Sequence, residues 1–346
     1  MADTLPDLAG PAPALDEAPD ERDSQPGVSL GKRLRDPKTI VSFIVAILLL
    51  VTVFRKLGDL SSAVRYMAGI NVWLYLLAFV AYALTFPARG LRWQRLLRNV
   101  QEHHPAGKLI EYLFLSWFVN CLVPAKIGDV YRGYLLKKND NVSLSKSMGT
   151  IFAERIIDTL TIFLAFGLTG LAVFHNRIPS QIRVYLVAGV LLAVVCVVAL
   201  LFMRHFGEAV FARFASPRIQ HIYKRFEEGT LGSFKSMEVI LTFTLAAWLF
   251  EALRLFTVAH ALAGGSPQLA SFSFVTGVFA AVAASILTLV PTPGGLGAVE
   301  GGVTGILILA GLTPGLALAI VIMDRIVSYW ALVLSGAAAY FVTQRK

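Results

Sequence analysis

Apolar runs alternate with short basic loops along most of this chain, at the spacing a bilayer imposes. Stretches approaching the roughly 20 residues needed to cross the hydrocarbon core fall at about 39–54, 72–97, 148–174, 184–203, 237–262 and 315–341. Two further apolar runs are interrupted. One covers 109–123, stops at Pro124 and resumes after Gly128 as 130–136; the other, 272–290 and 297–310, is split at Pro291, Pro293, Gly294 and Gly295. Proline and glycine break helices, and broken backbone at membrane depth persists only where it lines a protein-enclosed or watery cavity. The pattern predicts an all-α polytopic membrane protein with about six full spans and two broken helical hairpins, each either re-entrant or fully spanning.

The interruptions resemble each other. Leu122-Val123-Pro124 leads through Lys126, Gly128 and Asp129 to Arg132, and Leu289-Val290-Pro291 leads through Pro293, Gly294 and Gly295 to Glu300. Ala88-Arg89-Gly90-Leu91-Arg92 has a counterpart in Phe250-Glu251-Ala252-Leu253-Arg254, and Glu154-Arg155-Ile156-Ile157 in Asp324-Arg325-Ile326-Val327. The order span, hairpin, span recurs from opposite sides, which is the signature of an inverted repeat. Repeat A covers about 72–174 and repeat B about 237–341. A basic cytoplasmic linker at about 204–235 joins them, its Phe211, Phe214, Ile222 and Phe226 spaced for an amphipathic surface helix.

Charge sets the orientation. Residues 1–30 read as a disordered acidic cytoplasmic tail, and 31–346 as the membrane domain. Lys32, Arg33, Arg35 and Lys38 before the first span place the N-terminus in the cytoplasm; Arg345 and Lys346 place the C-terminus there too. The formal net charge of +9 and mean hydropathy of +0.67 point to anionic headgroups rather than nucleic acid. Cys121 and Cys196 sit in apolar runs, no His/Cys cluster has metal-ligand spacing, and no nucleotide loop occurs. Neither a metal nor a cofactor is expected.

An ionisable group at bilayer depth costs several kcal/mol unless paired or hydrated, so each is a candidate for function. The set comprises Lys126, Asp129, Arg132, Glu154, Arg155, Asp158, Glu251, Arg254, Glu300, Asp324 and Arg325, with Arg92 added by the repeat. Arg132 and Glu300 follow the helix breaks, where freed N–H groups favour anions, and lead the candidates for substrate contact. Glu154 and Asp158 share a helix face and Arg155 projects elsewhere. The competing structural reading makes Glu154, Asp158, Glu251 and Asp324 ion pairs that fix packing. On that reading Lys126, Asp129 and Asn120 cap the turn, and Arg89, Arg95 and Arg98 are ordinary anchors at the inner face. No catalytic residue is assigned.

These motifs, from Arg89-Gly90-Leu91-Arg92-Trp93 and Asn120 to Arg132 through Glu154-Arg155-Ile156-Ile157-Asp158, resemble the lysylphosphatidylglycerol synthase transmembrane-region family, also called flippase-like. So do Pro291 to Glu300 and Asp324-Arg325-Ile326-Val327-Ser328-Tyr329-Trp330, and the resemblance runs from about residue 38 onward. Lys126 stands where arginine is equally familiar, and Asp324 where tyrosine is. The resemblance implies a bacterial inner-membrane protein handling lipids. The soluble domain that makes aminoacyl-phosphatidylglycerol in the larger synthases, and the nucleotide-sugar domain of other relatives, are not expected here. The expected function is a flippase for an anionic phospholipid or lipid-linked precursor. The alternatives are a membrane-embedded enzyme modifying a lipid or polyprenyl phosphate, and a membrane partner of a separate soluble enzyme.

Overall fold

A computed structural model describes residues 37–56, 59–124, 126–175, 178–266, 268–269 and 272–344. The acidic tail and the terminal Arg345 and Lys346 lie outside them. Fourteen α-helices are described: α1 (Pro37–Lys56), α2 (Leu60–Ala68), α3 (Val72–Asn99), α4 (Ala106–Leu122), α5 (Ile127–Asp140), α6 (Leu144–Phe174) and α7 (Ser180–Phe202). The others are α8 (Glu208–Phe214), α9 (Pro217–Ser233), α10 (Met237–Ala261), α11 (Phe274–Leu287), α12 (Ala298–Leu309), α13 (Pro314–Arg325) and α14 (Ala331–Gln344). No strand occurs among the described residues. Five helical runs are long and apolar enough to cross a membrane: Val72–Asn99, Leu144–Phe174, Ser180–Phe214, Met237–Ala261 and Pro314–Tyr340. A sixth follows if α1 and α2 form one bent span.

The hairpin arms α4, α5, α11 and α12 have 17, 14, 14 and 12 residues. Each falls short of the roughly 20 a crossing needs. α3 packs along α10; α6 packs against α11 and α14 against α4, so each long helix meets the first arm of the other hairpin.

Two elements differ from the sequence expectation. The fourth span does not stop at Met203, because a π-helical turn over Met203–Gly207 carries it into α8. Gly207 permits this: a Cβ there would lie 1.7 Å from the Tyr223 hydroxyl. The basic linker is not one surface helix but two, divided before Pro217, with Phe211 stacked on Tyr223 at 3.9 Å. α9 docks tightly on α6, where a Cβ on Gly149 would sit 2.3 Å from the Phe226 carbonyl oxygen. A second π turn, Ile326–Trp330, interrupts the last span directly after Arg325. Such turns recur at functional sites.

The two breaks are built differently. At the first, the chain turns through Lys126 in the left-handed region (φ 52°), and the Gly128 N–H donates to Asn120 Oδ1 at 2.8 Å. A Cβ on Gly128 would lie 1.9 Å from the Ser116 carbonyl oxygen, so only glycine lets the arms close this tightly. Gly128→Ala is therefore expected to cost about 1–3 kcal/mol through overpacking. A thermal-melt comparison of the purified proteins checks it, and an unchanged Tm would deny the close approach.

The second break passes through a single 3₁₀ turn, Pro293–Gly295, with positive φ at Gly294, Gly295 and Gly297. Ser42 of α1 anchors it by donating to the Pro291 carbonyl at 2.8 Å. The breaks meet: the Tyr329 hydroxyl donates to the Cys121 carbonyl at 3.0 Å, and a Cβ on Gly294 would come within 3.4 Å of the Cys121 Cα.

Candidate functional site

A cavity of about 400 Å³ opens where the breaks meet. Both contribute wall, through Val123 and Lys126 on one side and Val290, Thr292 and Gly294 on the other. Its cations are Arg89, Lys126, Arg155, Arg254 and Arg325; its carboxylates are Asp158, Glu251 and Asp324. Five positive groups thus face three negative ones. Tyr82, Trp117, Trp248 and Tyr329 supply aromatic wall.

Ion pairs order these groups in two matching chains. In the first half, Arg92 of α3 reaches Glu154 of α6 at 2.8 Å, and the next residue, Arg155, binds Asp129 of α5 at 2.7 and 2.9 Å. In the second half, Arg254 of α10 binds Asp324 of α13, and the next residue, Arg325, binds Glu300 of α12 at 2.7 Å. Asp129 and Glu300 are each the third residue of the second hairpin arm. Glu300 is thereby in line with Asp129, not with Arg132 as the pairing of the two motifs suggests. The chains join where α3 packs on α10, with Arg89 bonded to Glu251 at 3.3 Å and Glu251 to Arg254 at 3.1 Å.

Arg92 is the most embedded member. It is fully buried, binds both Asp158 oxygens at 2.6 and 2.9 Å, and donates to Thr244 Oγ1 at 3.0 Å. Arg132 lies beneath it, bonded to Glu154 at 3.0 Å and packed over the Trp93 ring at 4.8 Å. Glu300 closes its own helix, accepting from the Gly297 N–H at 2.6 Å.

The sequence candidates therefore divide. Lys126, Arg155, Asp158, Glu251, Arg254, Asp324 and Arg325 line the cavity. Arg92, Asp129, Arg132, Glu154 and Glu300 stand behind the wall and hold it. Of the break residues, Gly294 is on the wall, while Pro124, Gly128, Pro291, Pro293 and Gly295 shape the backbone around it.

Arg89 is the member that the sequence reading passed over as an interface anchor. It is buried on the cavity wall, its guanidinium 4.8 Å from the Trp117 ring centre and 5.0 Å from that of Trp248. The signal was present in its alignment with Glu251, since the aligned pair is also the contacting pair.

Six arginines and six carboxylates balance in this network. Lys126 remains, and among the described residues its ammonium makes no ion pair or hydrogen bond. No group of three or more His, Cys, Asp or Glu able to hold a metal occurs among the described residues.

Residues 39–336 match the sequence family described as the lysylphosphatidylglycerol synthase TM region. The chain belongs to this family. It is similar to a UPF0104 membrane protein of Methanocaldococcus jannaschii, 31% identical over 231 residues, 66% of this chain and 95% of the relative. A UPF0104 membrane protein of Methanothermobacter thermautotrophicus is 26% identical over 87% of this chain and 92% of its own length. The glycosyltransferase AglD of Haloferax volcanii is 30% identical over 136 residues, which are 39% of this chain and only 22% of that enzyme. With the family and its apolar helices together, this is a multi-pass membrane protein.

Proposed function

We propose that this protein moves a lipid with an anionic headgroup, a phospholipid or a lipid-linked precursor, across the membrane through the cavity between the breaks. The observation that carries the reading is the unpartnered Lys126 on a wall with surplus positive charge. A cation at bilayer depth without a hydrogen-bonded or ion-paired partner is costly, and a phosphate entering the cavity relieves that cost. The left-handed backbone at Lys126 is a further strain of the kind that clusters at ligand sites.

The matching ion-pair chains favour an inverted repeat, an architecture suited to alternating access because two like halves rock about a shared site. Arg89–Glu251 would be the seam on which they rock. The basic residues before α1 favour a cytoplasmic N-terminus in a cell (inner) membrane. Partial similarity to a glycosyltransferase supports a second reading, a lipid-modifying enzyme or the membrane partner of one.

The test is headgroup accessibility in proteoliposomes with fluorescent phosphatidylglycerol and phosphatidylcholine. Faster protein-dependent translocation of the anionic lipid is expected. Equal rates, or none for any anionic lipid, would reject the transport reading, and a chemically altered lipid in the product would favour the enzyme.

A further inference from the structure

A second cavity of about 390 Å³ lies beside the first, and its chemistry is the opposite. Phe166, Ile182, Ile286 and Leu309 are among its walls, with Gln181 and Tyr185 at the end nearest the start of α7. α11 stands between the two cavities. It turns Ala284, Ser285 and Thr288 toward the polar one and Ala283, Ile286 and Leu287 toward the apolar one. α6 runs past both cavities along one face, with Ile162 lining the first and Phe166, a turn further on, lining the second. The two linings come nearest along the chain at the end of α11, where Leu287 lines one and the next residue, Thr288, the other.

Three glycines of α12 are among its lining, and they differ: a Cβ on Gly301 would lie 2.7 Å from Val53 of α1 and one on Gly302 2.4 Å from Leu287, whereas a Cβ on Gly305 would meet no atom within 4 Å. Gly301 and Gly302 are accounted for by close packing; Gly305 alone leaves open space beside the cavity. Water finds few hydrogen-bond partners in such a space, and an empty space forfeits dispersion contacts along its whole lining. At bilayer depth the occupant that satisfies these walls is hydrocarbon.

We infer that this groove holds one hydrocarbon chain of the same lipid whose anionic headgroup enters the polar cavity, the two parts meeting at the end of α11. The inference rests on the transport reading for its headgroup site and assigns the chain a place of its own. The ligand is then an anionic amphiphile gripped at both ends of its polar–apolar junction, not a free phosphate.

The test uses nanodiscs holding phosphatidylglycerol with a photoactivatable diazirine in its acyl chain, and adducts mapped by peptide mass spectrometry. The reference is the outward face of α7 at Val190 and Val194, which bulk lipid bathes. The groove face of α12 is expected to label more heavily than that reference. Gly305→Phe should cut groove labelling about tenfold, equivalent to excluding two methylene groups. Lys126→Met should lower it as well, with α7 labelling unchanged in both variants. Gly305→Ala, whose methyl enters open space, controls for folding.

Groove labelling no higher than that of α7, or indifferent to Gly305→Phe, would overturn the inference. Indifference to Lys126→Met would overturn it too, because the groove would then hold a bilayer lipid unconnected to the cavity. Translocation by the wild type is measured separately. Lys126-dependent groove labelling without translocation would reject transport and leave the one-lipid site standing.

Discussion

Arg92→Met is expected to remove about 3–5 kcal/mol of stability, the usual cost of stripping one partner from a buried ion pair. That is a large part of the roughly 5–15 kcal/mol that holds a typical domain together. Arg92 satisfies both oxygens of Asp158 and one of Glu154, so its loss strips the hydrogen bonds from a buried carboxylate. Arg89 and Arg155 stand 3.9 and 3.7 Å from Asp158, near enough to share its charge but too far to replace the lost hydrogen bonds. The partner substitution separates charge from packing. Arg92→Met with Asp158→Asn restores the count of arginines to carboxylates, leaves Glu154 on Arg132, and should recover much of the lost stability. Melting temperatures of the purified single and double variants check this. A single variant as stable as the wild type would mean that the network is solvated rather than buried.

Lys126→Met is expected to do the reverse. No carboxylate is orphaned when its charge goes, and an unpaired ammonium at membrane depth is itself unfavourable, so the variant should melt at or above the wild-type temperature. Transport of an anionic headgroup should meanwhile fall by about 30-fold or more, since truncating a charged partner of a desolvated contact costs about 2–5 kcal/mol. The opposed effects are diagnostic. A residue kept for packing loses stability when removed; a residue kept for a ligand loses activity and often gains stability. Lys126→Arg retains the charge and should retain most of the transport.

Much of this was legible from the residues. The spans were, because a 3.6-residue helix crossing hydrocarbon leaves runs of fixed length, and so were the breaks, because proline and glycine at that depth have few other uses. The spacing of Glu154 and Asp158 put both on one helix face, and the structure supplies the cation they share, Arg92.

What was not legible was which charge would meet which. Arg132 and Glu300 occupy similar slots after their prolines, yet helix register puts Asp129, three residues before Arg132, in line with Glu300. Register depends on where the arm begins, and that is set by the left-handed turn at Lys126 and by Gly297, which the amino-acid string does not display. Arg89 was hidden for a related reason. Its helix also carries Arg95 and Arg98 toward the basic loop, and only packing of α3 on α10 turns Arg89 inward between two tryptophans. The reach of the fourth helix to Phe214 was hidden as well, because the π turn at Met203–Gly207 coincides with the close packing of Tyr223 on Gly207, a contact made only in the fold.

The most direct measurement compares phosphatidylglycerol translocation by the wild type and by Lys126→Met, both reconstituted at equal density after their melting curves are shown to match or to favour the variant. Loss of translocation in the variant is the predicted result. Equal rates would contradict the account, because the one cavity-lining cation among the described residues with no hydrogen bond or ion pair in the protein would then have none in the substrate either.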